Sequence, residues 1–110
     1  MMTASRRWTV HDRHNNAIYL TQERWEHIID SINHPEMAEH EEQLLETIQS
    51  GVRKQDSLNP RKYRYSKAFA GLAEDNTHIV AIVLFGFSEH ETGQPIPNNY
   101  ITTAYQKENG

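Results

Sequence analysis

Seven consecutive apolar residues, Ile79-Val80-Ala81-Ile82-Val83-Leu84-Phe85, constrain the fold of this chain more than any other feature. A run apolar on both faces predicts a central strand. Even extended to Phe87 it is far too short to span a bilayer. Extended period surrounds it, over residues 52–55, 62–70, 77–87 and 99–106, and turn-forming residues at 56–60, 71–76 and 88–98 separate the segments. Sequential strands with short connections favour an antiparallel meander.

Before Gly51 the period is mostly helical. Residues 7–10 and 17–20 suggest two short extended pieces joined by a polar turn at 12–16. Thr21 then offers an N-cap, and Trp25, Ile28, Ile29 and Ile32 fall on one stripe of a helix running to about Asn33. Pro35 stops that helix and suits the first position of a second one. The second carries Met37, Leu44, Leu45 and Ile48 on one face and closes at Ser50-Gly51, where glycine can take the left-handed conformation. The expected architecture is a single α+β domain over residues 1–110: two N-terminal helices packed on an antiparallel sheet of about four strands. Its core would cover residues 17–106, with a polar tail from Lys107.

The chain has 110 residues and no cysteine, which excludes disulfides, thiolate metal sites and cysteine nucleophiles and fits a reducing cytoplasm. No apolar segment follows Arg6 and Arg7, so a soluble, unexported protein is expected. Net charge is −4, yet residues 52–67 hold Arg53, Lys54, Arg61, Lys62, Arg64 and Lys67 against Asp56 alone, six bases less one acid, or +5. Within that stretch Lys62, Arg64, Ser66 and Ala68 share one strand face, while Tyr63, Tyr65, Lys67 and Phe69 share the other. Cations beside aromatics suit phosphates and stacked bases; the same pattern suits an edge strand guarded against aggregation, and alternation alone leaves both readings open.

Measured from Trp25 at about 100° per residue, His27 points to roughly the opposite side of the first helix from the core stripe. It is either a plain surface residue or an imidazole facing a cleft. His34 lies about two turns further on, where the two rings could share a face. The seven histidines match no recognised ligand spacing, so no metal site is expected. Nor is a nucleotide cofactor, since Gly86 and Gly93 are isolated and no phosphate loop, G-x-S-x-G elbow or dinucleotide fingerprint is present. On the last strand Ile101, Thr103 and Tyr105 should point one way and Tyr100, Thr102 and Ala104 the other.

The order of elements, with Trp25-Glu26-His27-Ile28, His34-Pro35-Glu36 and Ile101-Thr102-Thr103-Ala104-Tyr105, resembles the phage-associated branch of the barnase, EndoU, colicin and RelE-like (BECR) nuclease superfamily over residues 17–106. That resemblance implies helices followed by a four-stranded antiparallel sheet, and a metal-independent endoribonuclease, often a toxin or mobile-element effector. A ribose 2′-OH would attack the adjacent phosphate, leaving a 2′,3′-cyclic phosphate and a 5′-OH end. His27 would be the general base or acid, Arg53, Lys62 or Arg64 would stabilise the phosphorane, and Thr103 and Tyr105 would hold the phosphate or sugar. His34, Lys54, Arg61 and Tyr65 complete the expected substrate contacts. Expected partners are RNA and a cognate antitoxin or inhibitor protein, without a membrane and with self-association left open. The alternative is a non-catalytic RNA- or protein-binding module of the same fold.

Overall fold

A computed structural model describes residues 5–108. The described residues open with a hairpin, β1 (Arg6–His11) and β2 (Ala17–Thr21), paired antiparallel around the polar turn. Asp12 builds that turn. Its carboxylate accepts from the backbone N–H groups of His14 and Asn16 at 2.9 Å each, and Asn15 sits at φ 63°, a conformation asparagine tolerates.

Thr21 caps α1 (Gln22–Ile28), its hydroxyl accepting from the Arg24 N–H at 3.0 Å. The helix ends five residues earlier than the periodicity predicts. Asp30 accepts from the Ile32 N–H at 3.1 Å and the Asn33 amide donates to the His27 carbonyl at 2.9 Å, so side-chain bonds replace the helical ladder. Trp25 and Ile28 are buried as the stripe requires, but Ile32 is 86% exposed. Pro35 does open the next segment, yet Pro35–Glu39 is a 3₁₀ turn; His40 leaves helical geometry at φ −126°, ψ 28°, and α2 (Glu41–Ser50) starts only afterwards. Met37, Leu44 and Ile48 are fully buried, whereas Leu45 is only partly so.

Gly51 ends α2 with extended geometry (φ −72°, ψ 165°) rather than the left-handed conformation expected. Glycine is required there for space: a Cβ would press on the Thr47 carbonyl and lie 2.8 Å from the Ser66 carbonyl oxygen. That close approach seats the end of α2 on the sheet.

The remaining strands are β3 (Val52–Gln55), β4 (Lys62–Ala68), β5 (His78–Leu84), β6 (Phe87–Glu89), β7 (Pro95–Pro97) and β8 (Asn99–Lys107). The main sheet has six strands in the order β1-β2-β8-β5-β4-β3, and β6-β7 form a separate hairpin inside a segment expected to be loop. The expectation of two leading helices on a four-stranded antiparallel sheet is therefore overturned. The sheet is mixed, because β2 runs parallel to β8 through Ile18↔Asn99 and Tyr19↔Tyr100, and a hairpin precedes the helices. Ile18 and Leu20 explain the insertion: both are completely buried, and joining the edge of β8 puts them into the core. Lys107 belongs to β8 rather than to a tail, and residues 109–110 lie outside the described residues.

One face of the sheet packs against the helices. Ile79, Ala81 and Val83 of β5 join Ile18, Leu20, Trp25, Ile28, Leu44 and Ile48 there, while Val80 is buried outside that cluster on the opposite, open face. β8 departs from simple alternation. Its register against β5 shifts between Ile82 and Val83, so that Ile82 faces Thr103 but Val83 faces Ile101. Thr102 is the extra residue, and its hydroxyl donates to the Ile82 carbonyl at 3.1 Å. This bulge re-aims the strand. Ile101 and Ala104 both enter the core, whereas Thr103 and Tyr105 both fall on the open face, correcting the expectation that Ile101 shares their side.

Candidate functional site

The strand registers divide the basic segment between two surfaces. On the helix side, Arg53 pairs with Tyr65, which pairs with Ala81 of the core. There the Tyr65 hydroxyl donates to the Asp12 carboxylate, and the Arg53 guanidinium lies 3.8 Å from the same carboxylate. Arg53 also stacks 4.6 Å over the Tyr63 ring and 5.7 Å from Phe85. Burial alone would raise the Asp12 carboxyl, but the Tyr65 hydroxyl and the Asn16 and His14 donors outweigh it and hold the pKa below the ordinary carboxylate value. Burial first, and then the bond to Asp12, push the Tyr65 phenol far above its usual value. Tyr65 therefore keeps its proton and donates it to Asp12 at neutral pH. This cluster closes the curled sheet, tying the β1–β2 turn to β4 and β3.

The open face carries a different set. One cross-strand row runs Lys54↔Arg64↔Ile82↔Thr103, and the next runs Val52↔Ser66↔Val80↔Tyr105. With strands about 4.8 Å apart, the Arg64 and Thr103 backbones are about 10 Å apart, a gap that an extended arginine and one phosphate span. Neither Lys54 nor Arg64 has an acidic partner among the described residues; the ion pairs formed nearby are Lys62 with Asp56 at 3.8 Å and Lys67 with Glu46 at 3.6 Å. A terminal nitrogen of Arg64 and the hydroxyl of Ser66 are both buried without a hydrogen-bond partner. Leaving such groups unsatisfied costs about 1–3 kcal/mol each, the mark of a place where a ligand or water belongs. Both residues line a cavity of about 420 Å³ with Lys54, Arg13, Lys67 and His78. A second hollow of about 350 Å³ shares Lys54 and Arg64 and reaches the Lys62–Asp56 pair, so it holds three cations against one carboxylate. Together they form one cationic track along the open face.

β2 pairs only with the start of β8, which leaves the far half of that edge to α1 and the segment after it. Glu23 and Arg24 line a hollow with Tyr100 and Ile101. At the other end the His34 ring lies 5.7 Å from the Tyr105 ring, and Glu36 is 3.6 Å from His34 Nδ1. His27 follows Glu23 and Arg24 by four and three residues, so it shares their side of α1, the side along β8. It is exposed and contacts none of the sheet cations.

Of the residues expected from the sequence, Lys54, Lys62, Arg64, Thr103 and Tyr105 thus come together on one face, with His34 at its edge. Arg61 begins β4's approach at the end of the sheet, Arg53 and Tyr65 face the helices, and His27 stands on the rim. Ser66 was legible from its alternation with Arg64 and was missed as a site residue. Arg13 reaches the cavity from the β1–β2 turn, which leaves no local signal, whereas His78 alternates with Val80 and Ile82 on the open face. Among the described residues no group of three histidine or acidic side chains is placed to hold a metal ion, and no helix is long and apolar enough to cross a membrane. Against known proteins, the sequence matches no family model, and no curated protein or solved structure is similar enough to match it.

Proposed function

We propose that the open face binds single-stranded RNA and cleaves it without a metal ion. The observation that carries this reading is the row Lys54–Arg64–Thr103, which has free cationic donors, beside the His34–Tyr105 ring contact. A phosphodiester seated between Arg64 and Thr103 would place its ribose against that contact.

The chemistry conserves atoms without an added reactant. The His34 imidazole takes the proton of the 2′-OH as the 2′-oxygen attacks phosphorus, and Arg64 with Lys54 holds the charge on the non-bridging oxygens. The bond from phosphorus to the 5′-oxygen breaks, and the leaving oxygen takes a proton from the Tyr105 hydroxyl. The products are a 2′,3′-cyclic phosphate and a 5′-OH end. Glu36, close to Nδ1, stabilises the imidazolium formed in the first step. His27 is the alternative imidazole on the same rim.

Incubating the purified protein with total RNA in EDTA and mapping fragment ends tests the reading. Fragments with cyclic phosphate and 5′-OH ends support it. Tight RNA binding without fragments would instead support a non-catalytic module.

A further inference from the structure

The aromatic side of β4 leads to a cavity that the cleavage reading does not use. It has a volume of about 620 Å³ and is lined by Arg61, Tyr63, Phe85, Phe87 and Asn99 among others. Tyr63 and Phe85 pack with ring centroids 4.9 Å apart at 58°, and the Arg53 guanidinium covers both from behind. Phe87, on the β6–β7 hairpin, lines the outer side of the cavity and is 73% exposed, so its ring face is open to a ligand.

Arg61 is built into this wall. Its Nε donates to the Phe85 carbonyl at 2.8 Å, while its own carbonyl accepts from the Phe85 N–H at 2.7 Å. Its terminal nitrogens bond to nothing among the described residues, and neither does the Tyr63 hydroxyl. Gly86 makes the room, since a Cβ there would lie 2.6 Å from an Arg61 terminal nitrogen. The cavity therefore offers aromatic walls, the Arg61 guanidinium and unsatisfied donors. No aspartate or glutamate lines it.

We infer that this cavity receives an unstacked nucleobase of the RNA strand bound on the cationic track. Aromatic faces and guanidinium planes stack any base, and the free donors of Arg61 and Tyr63 fit its carbonyl and ring-nitrogen acceptors. The chain itself joins the two places: Lys62, at the end of the track, stands between Arg61 and Tyr63. An acidic peptide would also meet Arg61, but it would have no use for the paired rings. The inference rests on the proposal that RNA binds the open face, though not on cleavage.

The test uses an uncleavable 2′-O-methyl oligonucleotide carrying one 2-aminopurine, whose fluorescence falls when it stacks. With wild-type protein, fluorescence at one position of the oligonucleotide should be quenched on binding. Phe87→Ala removes an exposed ring, so it should fold normally, lose that quench and weaken binding about fivefold to a hundredfold. Arg61→Ala should weaken binding of an oligonucleotide more than that of inorganic phosphate. Quenching without cleavage of natural RNA would refute the catalytic reading and leave the base site standing. Cleavage with unquenched binding, or Phe87→Ala indistinguishable from wild type, would overturn the base site alone. No binding at all would refute both.

Discussion

Tyr65→Phe removes a single oxygen from a buried network and gives a magnitude that the structure fixes. In the native protein the Asp12 carboxylate, 6% exposed, accepts from the Tyr65 hydroxyl and from three donors of its own turn, the His14 N–H, the Asn16 N–H and the Asn16 amide. The turn donors survive the substitution; the bond that joins the hairpin to β4 does not. A hydrogen bond to a charged acceptor contributes about 1.5–3 kcal/mol. Taking about 2 kcal/mol, a domain of this size should melt about 10 °C lower. The loss should also depend on pH. Asp12 is held below its ordinary pKa, so its contribution is complete above the unfolded value near pH 4 and disappears as pH falls through the folded value. The gap in Tm between wild type and Tyr65→Phe should therefore narrow below about pH 4. Tyr63→Phe is the control: its hydroxyl has no hydrogen bond among the described residues, so its Tm should move little. Thermal melts at pH 7 and pH 3 decide the matter. Equal melting of Tyr65→Phe and wild type at pH 7, or a gap unchanged at pH 3, would refute the role given to this bond.

Further outcomes follow from the same contacts. Arg64→Ala should lower RNA cleavage roughly 100- to 1000-fold, the effect of removing one charge-stabilising donor; its Tm should hold, because the lost nitrogen is buried without a partner. His34→Ala should lower turnover at least about 100-fold and shift its pH profile, whereas full activity in that variant with loss in His27→Ala would transfer the proton to His27. Gly51→Ala should destabilise by roughly 1–3 kcal/mol in a denaturant melt, because its methyl meets two backbone carbonyls.

What could be read from the sequence was what local spacing dictates. The alternation through residues 62–68 separates Lys62, Arg64 and Ser66 from Tyr63 and Tyr65, and the register bears out that division. The apolar run at 79–85 is indeed central, with β8 and β4 on either side. Trp25, Ile28, Leu44 and Ile48 occupy the core that their helical period requires. Three features were hidden because their causes are tertiary or turn on one residue. The β2–β8 pairing brings together segments some eighty residues apart, and nothing in residues 17–21 names its partner. The Thr102 bulge reverses the face of Ile101 relative to Thr103, a shift by one residue that period counting cannot detect. Alternation along β3 already separates Arg53 from Lys54; what was hidden is that Asp12 and Tyr63 occupy Arg53 on that other side.

The central claim is that a ribose hydroxyl performs the attack on a phosphate held at the open face. The most direct measurement compares an RNA oligonucleotide containing a mapped cleavage site with the same oligonucleotide bearing a single 2′-deoxy substitution at the attacking ribose, in EDTA. The account predicts that both bind with similar affinity and that only the all-ribose strand is cut, at that bond. Equal cleavage of the two strands would contradict it.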